Sequence, residues 1–237
     1  MAIVGIPTLS RAQTNPYVWT VLQPENDPRD DDVRGFDEFF SQYLTATMNR
    51  SEPLFQHRLT WNHVRIKDLL GFPTPFVELR FDALHPLILT TKEKAILREY
   101  LVRGGFILLI EDCYPYPQAK LRSVKSWPVV DFITKELPAS NSDFTVQRPD
   151  NTHLIFHQYY QTKINEQVQE ELDTNPYAPS QTLLSYRGHP CAYVVGQYPP
   201  KVKGQWMAEP KPYPHVFNLN AKDYELTVNV YVYATMH

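Results

Sequence analysis

The segment Leu89 to Cys113, LTTKEKAILREYLVRGGFILLIEDC, constrains the fold more than any other part of the chain. Thr90 followed by Glu93 makes a capping box: the hydroxyl satisfies an orphan amide of the first helical turn and the carboxylate reaches back to the cap. Ala95, Ile96, Leu97, Tyr100 and Leu101 then share one helical stripe, with Lys92, Glu93, Arg98, Glu99 and Arg103 expected to face away. Gly104 and Gly105 can take the left-handed conformation that ends a helix. Phe106 to Ile110 is a continuous apolar run, which suits a strand covered on both faces, as in a parallel sheet. It is expected to be central, parallel to at least one neighbour, with Glu111, Asp112 and Cys113 at the carboxyl edge, where open α/β sheets place their ligand sites.

The rest of the chain extends this pattern. Tyr17 to Gln23 is β-branched and aromatic, a first strand, and Pro24 to Asp32 is a polar loop. Val33 to Arg50 carries Phe36, Phe39, Phe40, Tyr43, Leu44 and Met48 at helical spacing. Leu59 to Ile66 alternates apolar and polar as a half-buried strand, and Pro75 to Phe81 is a short apolar one. Ala119 to Leu137 reads mostly as helix, kinked or restarted at Pro128. Phe156 to Tyr160 is a loop or one helical turn, and Ile164 to Leu172 is a charged surface helix. Leu183 to Tyr186 and Ala192 to Val195 are two strands flanking the turn Arg187-Gly188-His189-Pro190. Tyr198 to Pro214, rich in proline, reads as a long surface loop. Tyr224 to Met236 is a strand by propensity alone. Alternating strands and helices make a predominantly parallel α/β sheet, flanked by helices, the expected architecture.

Composition narrows the function classes. At 237 residues the chain can bury a full core as one large domain. A formal net charge of -3 with no basic tract gives no footprint for nucleic acid. No apolar run approaches the roughly 20 residues of a membrane helix. Only 8 glycines stand against 21 prolines, which argues against a glycine-rich phosphate loop. Cys113 and Cys191 are too few for a disulfide scaffold or a four-thiolate metal site, and they are expected not to bond to each other. Residues 1–16 read as a leader or a signal-peptide remnant: Ala2 to Leu9 is weakly apolar, but no positive region precedes it and Pro7 breaks it. The expected location is cytoplasmic, or periplasmic if that segment exports the chain.

Three patches carry a family resemblance. The run from Pro75-Phe76-Val77, through LTTKEKAILREYLVRGGF to EDC, resembles the bacterial domain-of-unknown-function family 4159, itself similar in fold to class I glutamine amidotransferases. His153-Leu154-Ile155-Phe156-His157, followed by Tyr159-Tyr160, resembles that family's HPIFH segment. Tyr224 to His237, with Asn229 and Tyr233-Ala234, resembles its closing segment. The resemblance spans about Tyr17 to His237. It implies one amidotransferase-like (flavodoxin-like) α/β domain over residues 17–237, and a helix at Tyr224 to Met236 against the preference of its valines, which is the expectation adopted. It supplies no substrate and no cofactor. Relatives carry a glycine-histidine pair after the strand equivalent to Phe76 to Phe81; this chain has Arg80-Phe81-Asp82 instead.

Each candidate site residue has a chemical and a structural reading. Cys113 follows a buried strand, as the amidotransferase nucleophile does, on a turn where helix-end amides lower a thiol pKa. Its neighbours Asp112, Tyr114 and Pro115 oppose that role, because the elbow needs small residues and free amides, and an adjacent carboxylate raises a thiol pKa. The partner motif His-x-Glu is absent after both His153 and His157. Cys113 therefore reads as structural. Asp112 or Glu111 fits a binding or base role at the strand end, or a helix cap. His153 and His157, four apart, could face a ligand beside Asp112, or leave Leu154-Ile155-Phe156 to plug the core while they bond backbone. Three functions follow. The preferred one is a non-catalytic, amidotransferase-like binding or assembly module with a protein partner and no cofactor or metal. The alternatives are a cysteine- or carboxylate-dependent hydrolase at the Asp112–Cys113 strand end, and an envelope protein binding carbohydrate or peptide, suggested by the tyrosine content and the export-like first residues.

Overall fold

The structure, a computed structural model, describes residues 18–25, 60–82, 87–112, 128–158, 160–163, 181–197, 201–202, 205–206 and 221–236. The expectations for residues 1–16, for Val33 to Arg50 and for Ile164 to Leu172 lie outside the described residues, as does Cys113.

A seven-stranded sheet has the order β2-β1-β3-β4-β7-β6-β5. Its strands are β1 (Val18–Gln23), β2 (Thr60–Arg65), β3 (Phe76–Asp82), β4 (Phe106–Asp112), β5 (Phe144–Gln147), β6 (Thr182–Tyr186) and β7 (His189–Gln197). The five strands from β2 to β7 pair in parallel, and β6 and β5 add an antiparallel margin. β4 is flanked by parallel β3 and β7, and Phe106 through Ile110 are all buried, as the unbroken apolar run requires. The fold is an α/β fold with a mixed, mostly parallel sheet.

Helices cover both faces. On one lie α1 (Thr91–Val102), the short α2 (Pro128–Asp131), the π turn Phe132–Glu136 that continues it, and the 3-10 turn Ile66–Gly71. They pack with Val77, Leu79, Phe81, Ile107 and Leu109 of the central strands. On the other lie α3 (Ala221–Met236) and the 3-10 turn Leu154–Phe156, packed with Trp19, Phe76, Phe106, Leu108 and Tyr193. Alternation along each strand sends successive side chains to these two layers.

The capping box forms as expected: Thr90 Oγ1 accepts from the Glu93 amide at 3.1 Å, and the Glu93 carboxylate accepts from the Thr90 amide at 2.8 Å. The same box corrects the helix stripe. Glu93, expected to face away, is buried, while Ala95 is exposed and Ile96 half-buried; the buried face is Glu93, Leu97, Tyr100 and Leu101. The two glycines have different duties. Gly104 sits at φ +92°, the left-handed conformation that stops α1. Gly105 lies so close to Tyr100 that an added Cβ would fall 2.2 Å from its ring, and the Tyr100 hydroxyl donates to the Thr74 carbonyl at 3.1 Å.

Other boundaries moved. The turn between β6 and β7 is only Arg187-Gly188, with φ of 51° and 81°; His189 and Pro190 belong to β7. Two successive left-handed residues make the hairpin turn whose twist matches that of its strands. Within 198–214, expected as loop, Lys201–Val202 (β8) and Gln205–Trp206 (β9) form a small antiparallel ladder. β5 and the 3-10 turn Ile66–Gly71 were not anticipated. The valine-rich segment is helical, as the resemblance implied. Leu226 to Tyr231 are buried without interruption, so neighbours enclose this part of the helix on every side.

Candidate functional site

The carboxyl ends of three parallel strands lie in register, with Phe81 beside Glu111 and Gly196, and Asp82 beside Asp112 and Gln197. Asp112 thus ends the central strand at the edge anticipated for it, and Asp82 joins it there from β3. On the α1 side of this edge is a cavity of about 260 Å³, lined by Phe81, Leu87, Ile88, Leu89, Lys94, Asp131, Phe132 and Glu136. Phe81 and Phe132 meet at 5.2 Å between ring centroids and form its apolar wall.

The polar collar is built by α1 and the π turn. Lys94 Nζ lies 2.7 Å from Glu136, and Lys135 Nζ lies 2.5 Å from Asp131. Arg98 reaches from α1 to the end of the π turn, donating from Nε to the Leu137 carbonyl at 2.7 Å and from Nη2 to the Glu136 carbonyl at 2.9 Å. Those bonds satisfy terminal carbonyls that a helix leaves without partners. The amino end of α1, the kind of position where α/β proteins hold phosphate, is occupied by the chain's own Glu93. Besides the Thr90 amide, its carboxylate takes the Thr90 hydroxyl at 2.8 Å and the Glu25 amide at 3.1 Å, tying the residues after β1 to the cap of α1.

The opposite face carries a buried polar group that the sequence reading passed over. Glu78, fully buried in β3, accepts from the Trp19 indole at 2.7 Å and from Nε of Arg80. Its signal was present as Glu78 and Arg80, opposite charges two residues apart within β3, a spacing that puts both on one face. The cavity had no such signal, since its walls come from three separated segments.

The two histidines each bond the backbone next to their own turn. His153 caps the turn Leu154–Phe156, its Nδ1 accepting from the Ile155 amide at 3.2 Å, and Nε2 of His157 donates to the Asn151 carbonyl at 2.6 Å. Both rings bond backbone. Ile155 and Phe156 enter the core, while Leu154 stays exposed. The His153 ring lies 6.2 Å from that of Tyr233 on α3. Half a turn earlier, Tyr231 packs on Trp19 and Phe76 and donates to the Val18 carbonyl at 3.4 Å. Val18 begins β1, at the amino end of the parallel strands. Burial pushes the His153 pKa down, opposed by the charge of Asp150.

Cys191 is free and buried; its thiol donates to the Leu184 carbonyl at 3.4 Å, and burial pushes its pKa up to about 12, the reverse of an activated nucleophile. Among the described residues no three His, Cys, Asp or Glu side chains are grouped to hold a metal ion, and no helix is long and apolar enough to cross a membrane. Comparison of the chain with protein-family models, with curated proteins and with solved structures finds no match.

Proposed function

We propose that the protein is a binding module with an amidotransferase-like fold of the type seen in the domain-of-unknown-function family 4159, working at the carboxyl edge of its parallel strands. The strand order β2-β1-β3-β4 supports that architecture, since it matches the start of the doubly wound order 2-1-3-4-5. The observation that carries the functional reading is the cavity at the end of β3. It lies where open α/β sheets hold ligands, and Ile88 on its rim is 79% exposed. In this reading the exposed Ile88 and the Phe81–Phe132 wall supply apolar contact to a partner protein. Asp112, which ends the neighbouring strand, supplies polar recognition at the same edge.

The test selects displayed peptides on the wild-type protein and measures their affinity for variants. Asp112→Ala weakens binding by about tenfold or more, the loss of one charge-assisted hydrogen bond, and Cys113→Ala leaves it within a few-fold. The same preparations are assayed for release of ammonia from glutamine and for hydrolysis of an activated acetyl ester. Turnover abolished by Cys113→Ala alone would make the chain a hydrolase and overturn this reading.

A further inference from the structure

The 3-10 turn Leu154–Phe156 plugs the α3 layer, and its cap is a side chain that titrates near neutral pH. We propose that His153 makes this turn acid-sensitive: a proton added to Nδ1 removes the cap, and residues 153–157 loosen from α3 while the sheet stays folded. The device is independent of anything bound at the carboxyl edge. Its basis is the protons that the two rings must carry. His153 Nδ1 accepts from the Ile155 amide at 3.2 Å, so the ring's own proton sits on Nε2. A second proton, on Nδ1, would set one N–H against another and turn the cap into a repulsion. His157 meets the same constraint at the other end of the turn. Its Nε2 donates to the Asn151 carbonyl at 2.6 Å, and its Nδ1 is buried without a partner, so a proton there would be a buried donor with no acceptor. The turn closes on two neutral imidazoles.

Hydrogen bonds link the turn to the helix. The Phe156 carbonyl accepts from the Thr162 amide and from its hydroxyl, both at 2.9 Å, and Asn229 of α3 donates to Thr162 Oγ1 at 3.1 Å. Ile155 and Phe156 are fully buried with Trp19, Phe76 and Tyr231, while Leu154 is 59% exposed. Opening therefore brings three consecutive apolar side chains to the surface. Among the described residues, the titratable groups around the His153 ring are Asp150 and His157 of its own segment and Tyr233 of α3. Burial keeps the Tyr233 hydroxyl protonated, so that side chain brings no charge. Asp150 favours the charged ring, but its carboxylate is engaged by the Thr152 amide at 2.8 Å, and burial outweighs it in lowering the His153 pKa. The open turn thus holds a proton that the closed turn releases, and opening grows as pH falls below the ring's ordinary 6.5.

The test is amide hydrogen exchange by NMR on the isotope-labelled full chain at about pH 7.5 and 5.5, expressed as protection relative to the intrinsic rate at each pH. Protection of the Ile155, Phe156 and His157 amides should fall by about fivefold or more at the lower pH, the scale of losing one cap, while that of Leu108 and Leu109 in β4 holds. The nitrogen shifts of the His153 ring should show Nδ1 gaining its proton over the same range. His153→Asn supplies an oxygen that caps without titrating, and should keep the turn protected at both pH values. His153→Ala should leave it poorly protected at both. Equal protection of the wild-type turn at the two pH values would overturn the inference. So would an acid loss that persists in His153→Asn, or one shared equally by β4. Should the alanine variant not fold, the wild type and His153→Asn decide the question between them.

Discussion

Glu78 and Leu79 are neighbours in β3 and are equally buried, yet they live in different solvents. Glu78 points to the α3 layer, where it meets Trp19 and Arg80; there too Asn229 accepts from the Tyr160 amide at 2.7 Å and donates to its carbonyl at 2.9 Å. Leu79 points to the α1 layer, among Val77, Leu97, Leu101, Ile107 and Leu109. At β3, then, the α3 side carries directional bonds that specify partners, while the α1 side around Leu79 is apolar. The cavity sits on the α1 side, between that helix and the π turn.

That contrast can be broken at adjacent positions. Glu78→Ala strips Arg80 of a buried carboxylate and the Trp19 indole of its acceptor, and should destabilise the fold by about 3–5 kcal/mol in urea denaturation. The double change Glu78→Met with Arg80→Met should recover most of the loss, because a buried ion pair is replaceable by packed apolar volume. A cost under about 1 kcal/mol for the single change would show that the polar group does not order its layer. Leu79→Met, conserving volume on the other face, should cost less than about 1.5 kcal/mol by the same measurement. A larger loss there would mean that the α1 layer is as exacting as the α3 layer.

The smallest effect concerns His153, at the border of the α3 layer. Its folded pKa lies below its ordinary value of 6.5, so the unfolded chain binds the proton first. Stability is therefore complete above that range and declines as pH falls through it, at a slope set by the difference in bound protons. The melting temperature should rise by a few degrees at most between about pH 5 and 7, and His153→Gln should flatten that rise. Asp150, whose carboxyl is held low mainly by bonds from Thr152, acts in a separate window below its ordinary 3.8. A fall in melting temperature over the neutral range would reverse the sign assigned to His153.

Local signals in the sequence carried most of the central unit. The capping box, the Gly104-Gly105 stop and the apolar run of β4 each act over a few residues, so each could be recognised before any packing was known. What escaped was set by tertiary context. Glu93 is buried because its bonds to Thr90 and Glu25 compensate its desolvation, which its place on a helical wheel does not reveal. β5 is a short margin strand of which only Phe144 is buried, so it has little apolar pattern to detect. The helix at 221–236 opposed its own propensity and was accessible only through resemblance. His153 and His157 have the spacing of a ligand pair, but the core positions of Ile155 and Phe156 turn both rings to the backbone.

The placement of α3 has a consequence for the route to the folded state. Every strand of the large sheet precedes this helix in the chain, while Trp19, Phe76 and Phe106 rely on it for cover. A nascent chain that has paired β1, β3 and β4 therefore shows a greasy aromatic panel to its surroundings until α3 docks. Aggregation, and capture by chaperones that recognise such panels, compete with folding during that interval. The residues of α3 facing the sheet accordingly govern how much protein reaches the native state as well as how stable it is once there.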